Sequence, residues 1–243
     1  MSMPKGDGYV IGFSFAVCIL CSLLLSATAS LLKEKQDYNV ELDRKMNVLK
    51  AFGVDITHED GEHLTAEEIE RYFREHISDV VLDGASGQVV EGATSASLKA
   101  EEIESRAKLP LYVWRDNGTV QKYAFPISGK GLWSTVYGYL SLDAALSTIV
   151  GVTFYKHGET PGLGGEVETD WFQRQFAGKK VFEAGQRLKF EVVKGKVADR
   201  YPGGNDHAVD GISGATITGN GVGKFINRDL DRYEKYFSLN RNG

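Results

Sequence analysis

The segment from Tyr9 to Leu32 contains no charged residue, and it restricts the fold more than any other part of the chain. As a helix, a run of this length spans the roughly 30 Å hydrocarbon core of a bilayer. A cleaved signal peptide is the alternative, since Ala27-Thr28-Ala29 resembles an A-x-A cleavage site. However, the run far exceeds the roughly 7–15 apolar residues of a signal-peptide core. We therefore predict a retained single-pass anchor over 9–32, after a short amino-terminal segment, 1–8.

Charged residues on the two sides of this run give a first indication of its orientation. Lys5 and the amino terminus precede it, whereas Lys33, Lys35, Arg44 and Lys45 follow it. By the positive-inside rule, this count weakly favours a cytoplasmic carboxy-terminal part.

The two cysteines of the chain, Cys18 and Cys21, both lie inside the apolar run. A C-x-x-C spacing is typical of redox pairs and of half a zinc site, but no other cysteine is present to complete a metal site. We interpret them as two small apolar residues of the membrane helix. The remainder of the chain therefore has no disulfide framework and no thiolate-bound iron–sulfur cluster of its own. The formal net charge of −5 argues against a nucleic-acid partner.

Apolar spacing and capping residues predict four helical stretches after the anchor. The pattern over 37–52 predicts a helix that leaves the membrane. Thr65-Ala66-Glu67-Glu68 is a capping box, which predicts a second helix with Ile77 on its apolar face. A short helix is predicted over 171–176, capped by Asp170, and a final helix over 220–237.

Strand patterns and turn residues predict the sheet. Asp116-Asn117-Gly118 is a strong turn signal inside a predicted hairpin over 109–127. The stretch 140–154 mixes a strand pattern with turn residues, 188–193 is predicted to be a strand, and 82–98 a loop. The sequence thus predicts an α+β domain, with a mostly antiparallel sheet and packed helices, behind a single amino-terminal transmembrane helix. The lack of βαβ alternation argues against a Rossmann domain.

The segment Asp210–Thr218, DGISGATIT, has the composition of a phosphate-binding loop that runs into a helix. Glycines let backbone N–H groups approach a phosphate, and the amino terminus of the following helix favours an anion. Thr216 adds a hydroxyl to which a phosphate can be attached. Thr218 or Asn220 is available as the helix cap.

Two alternatives compete with this interpretation of the segment. One is a plain loop followed by a helix cap. The other is a hydrolase, because GISGA is one substitution away from the G-x-S-x-G nucleophile elbow, with Ser213 as the nucleophile and His207 and Asp210 as partners. That elbow requires a preceding buried strand, which 205–208 does not predict, so we rank the hydrolase lowest.

The loop His157–Gly165, HGETPGLGG, follows a predicted strand and is shaped by a proline and several glycines. His157, Glu159 and Thr160 offer polar groups to the edge of a bound ring, and Leu163 offers an apolar side chain to its face. The alternative is an ordinary Gly-Pro loop with a structural histidine.

The segment Ser128–Ser134, SGKGLWS, is the third candidate. Gly129-Lys130-Gly131 permits close approach of an anion, and Trp133 is suited to stacking on a flat ring. The segment is not a P-loop, which requires G-x-x-x-x-G-K-[ST] at the start of a helix. The alternative is a turn with a buried tryptophan.

Taken in order, GKGLWS, HGETPGLGG and DGISGATIT resemble the FMN-binding domain family, in the form found in the C subunits of sodium-translocating NADH:quinone oxidoreductases. The G subunits of Rnf electron-transport complexes are a close second resemblance. In such families a flavin transferase, using FAD and Mg²⁺, joins FMN through its phosphate to the last threonine of D-x-x-S/T-G-A-T. The resemblance implies that Thr216 is this threonine, because Asp210, Ser213, Gly214 and Ala215 complete the pattern.

The resemblance also implies which residues bind the cofactor. Thr160, Gly162 and Leu163 are expected to contact the flavin ring, followed by Trp133 and Lys130, with Glu159 in the same loop. Ser213, Gly214, Ala215 and Thr218 are expected around the phosphate, and Asp210 is expected to shape the loop. No residue is assigned to catalysis or to a metal, and the flavin is expected at the edge of the domain.

The implied function is an electron relay in a membrane complex that passes electrons from NADH to ubiquinone and exports Na⁺. No dinucleotide fingerprint is present, so the NADH site is expected on a different polypeptide of the complex. Flavin attachment occurs outside the bacterial inner membrane, which implies a periplasmic domain and a cytoplasmic 1–8, against the lysine count. The expected parts are then the anchor 9–32, a helical and loop extension 33–104, and the FMN-binding domain 105–243. The alternatives are the G subunit of an Rnf complex and a non-redox membrane-tethered module for a phosphorylated ligand.

Overall fold

The amino-terminal part of the chain forms one long helix, α1, over Asp7–Ala51. The structure, a computed structural model, describes residues 6–58 and 61–241, so Lys5 and most of the predicted 1–8 segment lie outside the described residues. The helices predicted over 9–32 and 37–52 are therefore continuous. Every described residue up to Val40 is exposed, and the most apolar window of α1 has a mean hydropathy of 2.4. This length and composition suit a membrane-spanning helix.

The chain divides into two compact units, the first ending at Arg44 and the second beginning at Lys45. The second unit contains the last two turns of α1 and all the remaining elements. The four-part division predicted from the sequence remains a prediction.

A five-stranded antiparallel sheet in the order β1-β2-β3-β4-β5 forms the centre of the second unit. Each strand pairs with its neighbour in sequence, which makes the sheet a simple meander. Asn117 and Gly118 both have positive φ, of 50° and 80°, as a two-residue type I′ hairpin turn requires. The five strands are β1 Ile77–Asp83, β2 Lys108–Asp116, β3 Thr119–Lys130, β4 Thr135–Asp143 and β5 Ile149–Lys156.

Helices and short strands flank this sheet. The capping box of α2 is present, with Glu68 N–H donating to Thr65 Oγ1 and Thr65 N–H donating to Glu68 Oε2. Two 3₁₀ helices cover Ser95–Ser97 and Gly164–Glu168. The helices after α1 are α2 Ala66–His76, α3 Ala100–Glu104, α4 Asp170–Arg174, α5 Val197–Arg200 and α6 Thr216–Arg241. The short strands are β6 Phe182–Glu183, β7 Gln186–Arg187, β8 Glu191–Val192 and β9 Ala208–Val209.

The two faces of the sheet are covered by different helices. On one face α6 lies against β3, and Tyr233 and Phe237 contact the ring of Phe125 in the main hydrophobic core. On the other face α2 and Phe52, the residue that follows α1, lie against β2, where Phe52 contacts Trp114 and Phe73 contacts Tyr112. The α+β class with a mostly antiparallel sheet, behind an amino-terminal apolar helix, is thus confirmed.

Four secondary-structure predictions differ from the structure in this part of the chain. Ile77 begins strand β1 and does not extend α2, and β1 continues into the predicted loop 82–98, because pairing with β2 overrides the helical spacing of the apolar residues. The amino-terminal cap of α4 is Thr169, with Asp170 in the first turn. Of the strand predicted over 188–193, only Glu191 and Val192 pair, with β9.

Candidate functional site

The last helix, α6, begins at Thr216, so the predicted caps Thr218 and Asn220 lie inside it. The first i→i+4 hydrogen bond of the helix joins Gly219 N–H to the carbonyl of Ala215, which makes Ala215 the cap residue. Alanine has no side-chain acceptor for the first turn. Among the hydrogen bonds of the described residues, none involves the N–H groups of Thr216, Ile217 or Thr218. Three donors therefore remain at the positive end of the helix dipole.

The loop before α6 leaves the predicted acceptor accessible. Gly214 has a φ of 73°, and the N–H of Ala215 donates to the carbonyl of Ile212 over 3.1 Å. Ser213, Gly214 and Thr216 are exposed, whereas Ala215 is buried. The hydroxyl of Thr216 thus lies at the surface, beside the three unbonded N–H groups.

Glu159 connects all three sequence motifs. Its Oε1 accepts hydrogen bonds from the N–H groups of Trp133 and Ser134, at 3.0 and 2.9 Å, and from the Ser134 hydroxyl at 3.2 Å. Its Oε2 accepts from Leu132 N–H at 3.0 Å and from the Thr218 hydroxyl at 2.7 Å. The carboxylate is therefore directed inward, and all its hydrogen bonds are made within the protein.

Two of these contacts concern residues predicted to face the ligand. The N–H groups of Leu132, Trp133 and Ser134, directly after the Gly-Lys-Gly segment, already have the Glu159 carboxylate as their negative partner. Thr218 is buried, and its hydroxyl is used by Glu159. Burial raises the pKa of Glu159, but the hydrogen bonds outweigh it and lower that pKa from 4.5 to about 2.

The loop 157–165 lies directly against the loop that precedes α6. A Cβ on Gly214 would stand 2.7 Å from Cδ2 of Leu163. A Cβ on Gly164 would stand 2.7 Å both from Glu159 Oε2 and from Thr218 Oγ1. At Gly164 the buried Glu159 and Thr218 oxygens leave no room for a side chain, whereas at Gly214 the φ of 73° is what favours glycine.

Ser134 completes the polar contacts between the first two loops, and His157 makes contacts within its own loop and with Glu168. The Ser134 hydroxyl accepts from Gly158 N–H at 2.7 Å, and His157 Nδ1 accepts from Glu159 N–H at 3.2 Å. His157 Nε2 lies 3.2 Å from a carboxylate oxygen of Glu168. Ser134 was not among the predicted site residues, because its partners are remote in sequence.

Four exposed apolar side chains lie in these three segments. Trp133 is 71% exposed, so the alternative of a turn with a buried tryptophan is wrong. Leu163 and Ile217 are 43% and 60% exposed, and Leu132 is exposed as well. Thr160, Gly162 and Lys130 also lie at the surface. Sequence reasoning missed two of these residues. Leu132 lies on the exposed loop beside the predicted Trp133, and Ile217 lies on α6 beside the predicted Thr216.

Asp210 makes hydrogen bonds within the domain. Its Oδ1 accepts from Val197 N–H at 2.7 Å, and its own N–H donates to Gln175 Oε1 at 2.9 Å. Beside it, Gly211 N–H donates to the carbonyl of Gly195 at 2.8 Å. These contacts fix the entry into the loop.

The hydrolase arrangement considered from the sequence is not assembled. His207 Nε2 lies 3.4 Å from Asn205 Nδ2, and within the described residues no hydrogen bond joins His207 to Ser213 or Asp210. A nucleophile and its base lie within hydrogen-bond reach in such sites. The segment instead has the geometry of an exposed hydroxyl at a helix start.

Sequence and structure comparisons identify similar proteins. The profile of the FMN-binding domain family matches residues 131–231. The C subunit of the Na(+)-translocating NADH-quinone reductase of Vibrio parahaemolyticus is 34% identical over 245 residues, covering 91% of this chain and 88% of that protein. The protein of the same name from Vibrio alginolyticus is 35% identical over 240 residues, with the same coverage. A crystal structure of the corresponding C subunit from Parabacteroides distasonis superposes with a TM-score of 0.72 at 32% identity, covering 85% of this chain and 97% of that one.

Proposed function

Because the chain belongs to the family of Na(+)-translocating NADH-quinone reductase C subunits, we propose that it is the FMN-carrying electron-relay subunit of such a membrane oxidoreductase. This family membership argues against the alternative considered from the sequence, the G subunit of an Rnf complex. The observation that carries the proposal is the exposed Thr216 at the uncapped start of α6, inside the segment that matches the FMN-binding domain.

The start of α6 fits a phosphate. The N–H groups of Thr216, Ile217 and Thr218 have no hydrogen bond within the described residues, and Ala215 supplies no capping oxygen. A phosphodiester carries one negative charge, which the amino terminus of a helix stabilises. We propose that Thr216 Oγ1 is esterified by the FMN phosphate, with Ser213, Gly214 and Ala215 beside it. The buried Thr218 hydroxyl supports the site through Glu159 and would not reach the phosphate.

The surface beside Thr216 fits a flat aromatic ring. Trp133, Leu163 and Ile217 offer exposed apolar contacts, and Thr160 and Gly162 lie at the exposed tip of the same loop as Leu163. Lys130 adds a positive charge at the surface. Bound FMN supplies reversible electron transfer, while these residues would bind and orient it. We expect the ring to lie at the domain edge, within reach of a partner cofactor.

The proposed location is the bacterial inner membrane, with α1 as a single-pass anchor and the second unit in the periplasm. The helix composition supports a single span. The periplasmic side rests on the requirement that a flavin transferase reach Thr216, and it opposes the lysine count. The other polypeptides of the complex and this transferase are the proposed partners, and we expect the NADH, quinone and sodium sites on those other polypeptides.

Flavin attachment tests the proposal directly. The full-length chain is produced together with a flavin transferase, and denatured samples are separated by gel electrophoresis and viewed under ultraviolet light. We expect a fluorescent band for the wild-type chain and for Ser213→Ala, and none for Thr216→Ala. The intact mass should rise by FMN less one water.

A dark wild-type band, with the transferase shown to be active on another substrate, would refute covalent attachment. Flavin that is bound before denaturation but lost in SDS would instead support a reversible binding module. A fluorescent Thr216→Ala band would show that the flavin is attached to a hydroxyl other than that of Thr216.

A further inference from the structure

Glu159 has a role that differs from the ring contact expected for it. We propose that Glu159 is a positioning residue, whose carboxylate holds the 131–134 loop and the first turn of α6 together before any flavin is attached. The role in flavin binding rests on the proposed function, whereas the ordering of the loop does not.

The loop 131–134 forms a small anion-binding concavity. The consecutive N–H groups of Leu132, Trp133 and Ser134 all donate to the carboxylate of Glu159, at 2.9–3.0 Å. Successive backbone N–H groups arranged in this way favour an anion. The loop's own turn is closed by a single hydrogen bond, from Gly131 N–H to the carbonyl of Ser134. Glu159 therefore supplies most of the acceptors that this loop has.

The carboxylate is enclosed as well as hydrogen-bonded. Glu159 is only 5% exposed. A Cβ on Gly131 would lie 2.7 Å from Oε1, and one on Gly164 would lie 2.7 Å from Oε2. Water is thus excluded from both sides of the group by backbone that approaches closely, so the donors have no ready substitute acceptor.

A neutral side chain of the same shape does not satisfy these donors. Five hydrogen bonds end on the two oxygens, and an ionised carboxylate only accepts. In Glu159→Gln one oxygen becomes an NH₂ group, which then faces N–H groups of the backbone. If the remaining oxygen accepts from Trp133 and Ser134, the NH₂ group faces Leu132 N–H, and two donors then meet without an acceptor. With its pKa lowered to about 2, Glu159 is ionised in the native protein at neutral pH.

These contacts connect the exposed Trp133 to the start of α6. The Trp133 backbone is fixed by Oε1, while its ring stays in solvent. Oε2 holds Thr218, which lies two residues after Thr216 in the first turn of α6. One buried carboxylate therefore sets the position of a proposed ring contact relative to the proposed attachment point.

Amide hydrogen exchange on the flavin-free, full-length protein in detergent tests the ordering. The protein is made without the transferase, and exchange is measured for peptides that cover 131–134. In Glu159→Gln we expect exchange there to be at least about tenfold faster, since one lost hydrogen bond to a charged acceptor weakens protection by this order. Glu166→Gln is the matched control, because no hydrogen bond or ion pair of its carboxylate occurs within the described residues.

Two further variants keep the test decisive if Glu159→Gln fails to fold. Thr218→Val removes one donor and leaves the carboxylate, so we expect a smaller acceleration at 131–134. In Glu159→Ala, formate should slow exchange at 131–134, while chloride at equal ionic strength should not. The proposal would be overturned if Thr218→Val and Glu159→Gln both exchange at the wild-type rate. If Glu159→Gln does not fold, a wild-type rate in Thr218→Val would overturn it.

A second readout concerns the attached flavin. In protein made with the transferase, Glu159→Gln should change the visible circular dichroism of the flavin, since Trp133 is no longer fixed, while Glu166→Gln should not. Failure of Thr216 to carry flavin would refute the proposed function and leave the exchange result standing. Faster exchange with an unchanged flavin spectrum would limit Glu159 to ordering the loop and overturn its role in positioning the ring site.

Discussion

The approach of α6 to strand β3 depends on a glycine in the second turn of the helix. A Cβ on Gly221 would lie far closer than 3.0 Å to the carbonyl oxygen of Lys130, a separation that Cβ atoms do not show. Two residues further on, a Cβ on Gly223 would lie 3.4 Å from the nearest atom, the backbone nitrogen of Val192, which is ordinary contact. Comparing Gly221→Ala with Gly223→Ala therefore separates two effects on stability: the steric cost of a side chain at the close contact, and the gain in helix propensity that both variants share.

The expected magnitudes follow from two opposing effects. Either alanine should stabilise the helix by up to about 1 kcal/mol relative to glycine. In Gly221→Ala this gain is opposed by overpacking against backbone, which costs about 1–3 kcal/mol. We expect the free energies of unfolding of the two variants to differ by about 1–3 kcal/mol, with Gly221→Ala the less stable. For a unit of this size that corresponds to about 2–12 °C in Tm.

Thermal unfolding of the full-length protein in detergent, followed by tryptophan fluorescence, measures this difference. Flavin attachment provides a second readout, because Gly221→Ala should displace the first turn of α6 from the 130–131 backbone and reduce the flavinylated fraction. Gly223→Ala should be flavinylated normally. Equal stability of the two variants, or a more stable Gly221→Ala, would refute the close approach on which the site geometry depends.

Three further predictions concern single side chains. Trp133→Ala should change the unfolding free energy by no more than about 0.5 kcal/mol, as for other exposed positions, but it should alter the fluorescence of the attached flavin. Replacement of another exposed tryptophan, Trp171→Ala, is the control. Equal flavin spectra in the two variants would contradict stacking of Trp133 on the flavin ring. Asp210→Asn keeps an oxygen for Val197 N–H and should be flavinylated, whereas Asp210→Ala should not be; a dark Asp210→Asn would show that the charge itself is needed. The pKa of Glu159 is about 2 in the folded protein and 4.5 without its partners, so its stabilisation is complete above pH 4.5 and is lost as the pH falls towards 2. Urea denaturation should therefore show a steeper loss of stability below pH 4.5 in the wild type than in Glu159→Gln, and equal slopes would argue against the lowered pKa.

Features that depend on a few neighbouring residues were predictable from the sequence. The capping box of Thr65 and Glu68 and the turn at Asn117-Gly118 occur as predicted, because both are determined by hydrogen bonds and dihedral angles within four residues. Strand β1 was not predicted, since the periodicity that ends at Ile77 suits the preceding helix. Its strand conformation comes from pairing with β2, about thirty residues later.

The contacts between the three candidate motifs were not predictable from the sequence. The structure brings the three motifs together, but the partners of Glu159 are 25–27 residues away in one loop and 59 residues away in α6. No local pattern shows that an acidic residue will fill an anion site on its own chain. The start of α6 at Thr216 was likewise hidden, because Thr218 and Asn220 are good caps by composition, whereas the cap residue, Ala215, has no side-chain acceptor.

The meander order of the sheet has a consequence for how the domain assembles. Strands that pair only with their sequence neighbours close short loops, and such contacts form early in folding. The hydrogen bond that joins Glu159 to α6 spans 59 residues and carries the larger entropic cost of a long loop. We therefore expect the sheet to form first and the region around Thr216 to be completed last. The proposed acceptor, Thr216, would then be fully formed for the proposed transferase only on completely folded chains.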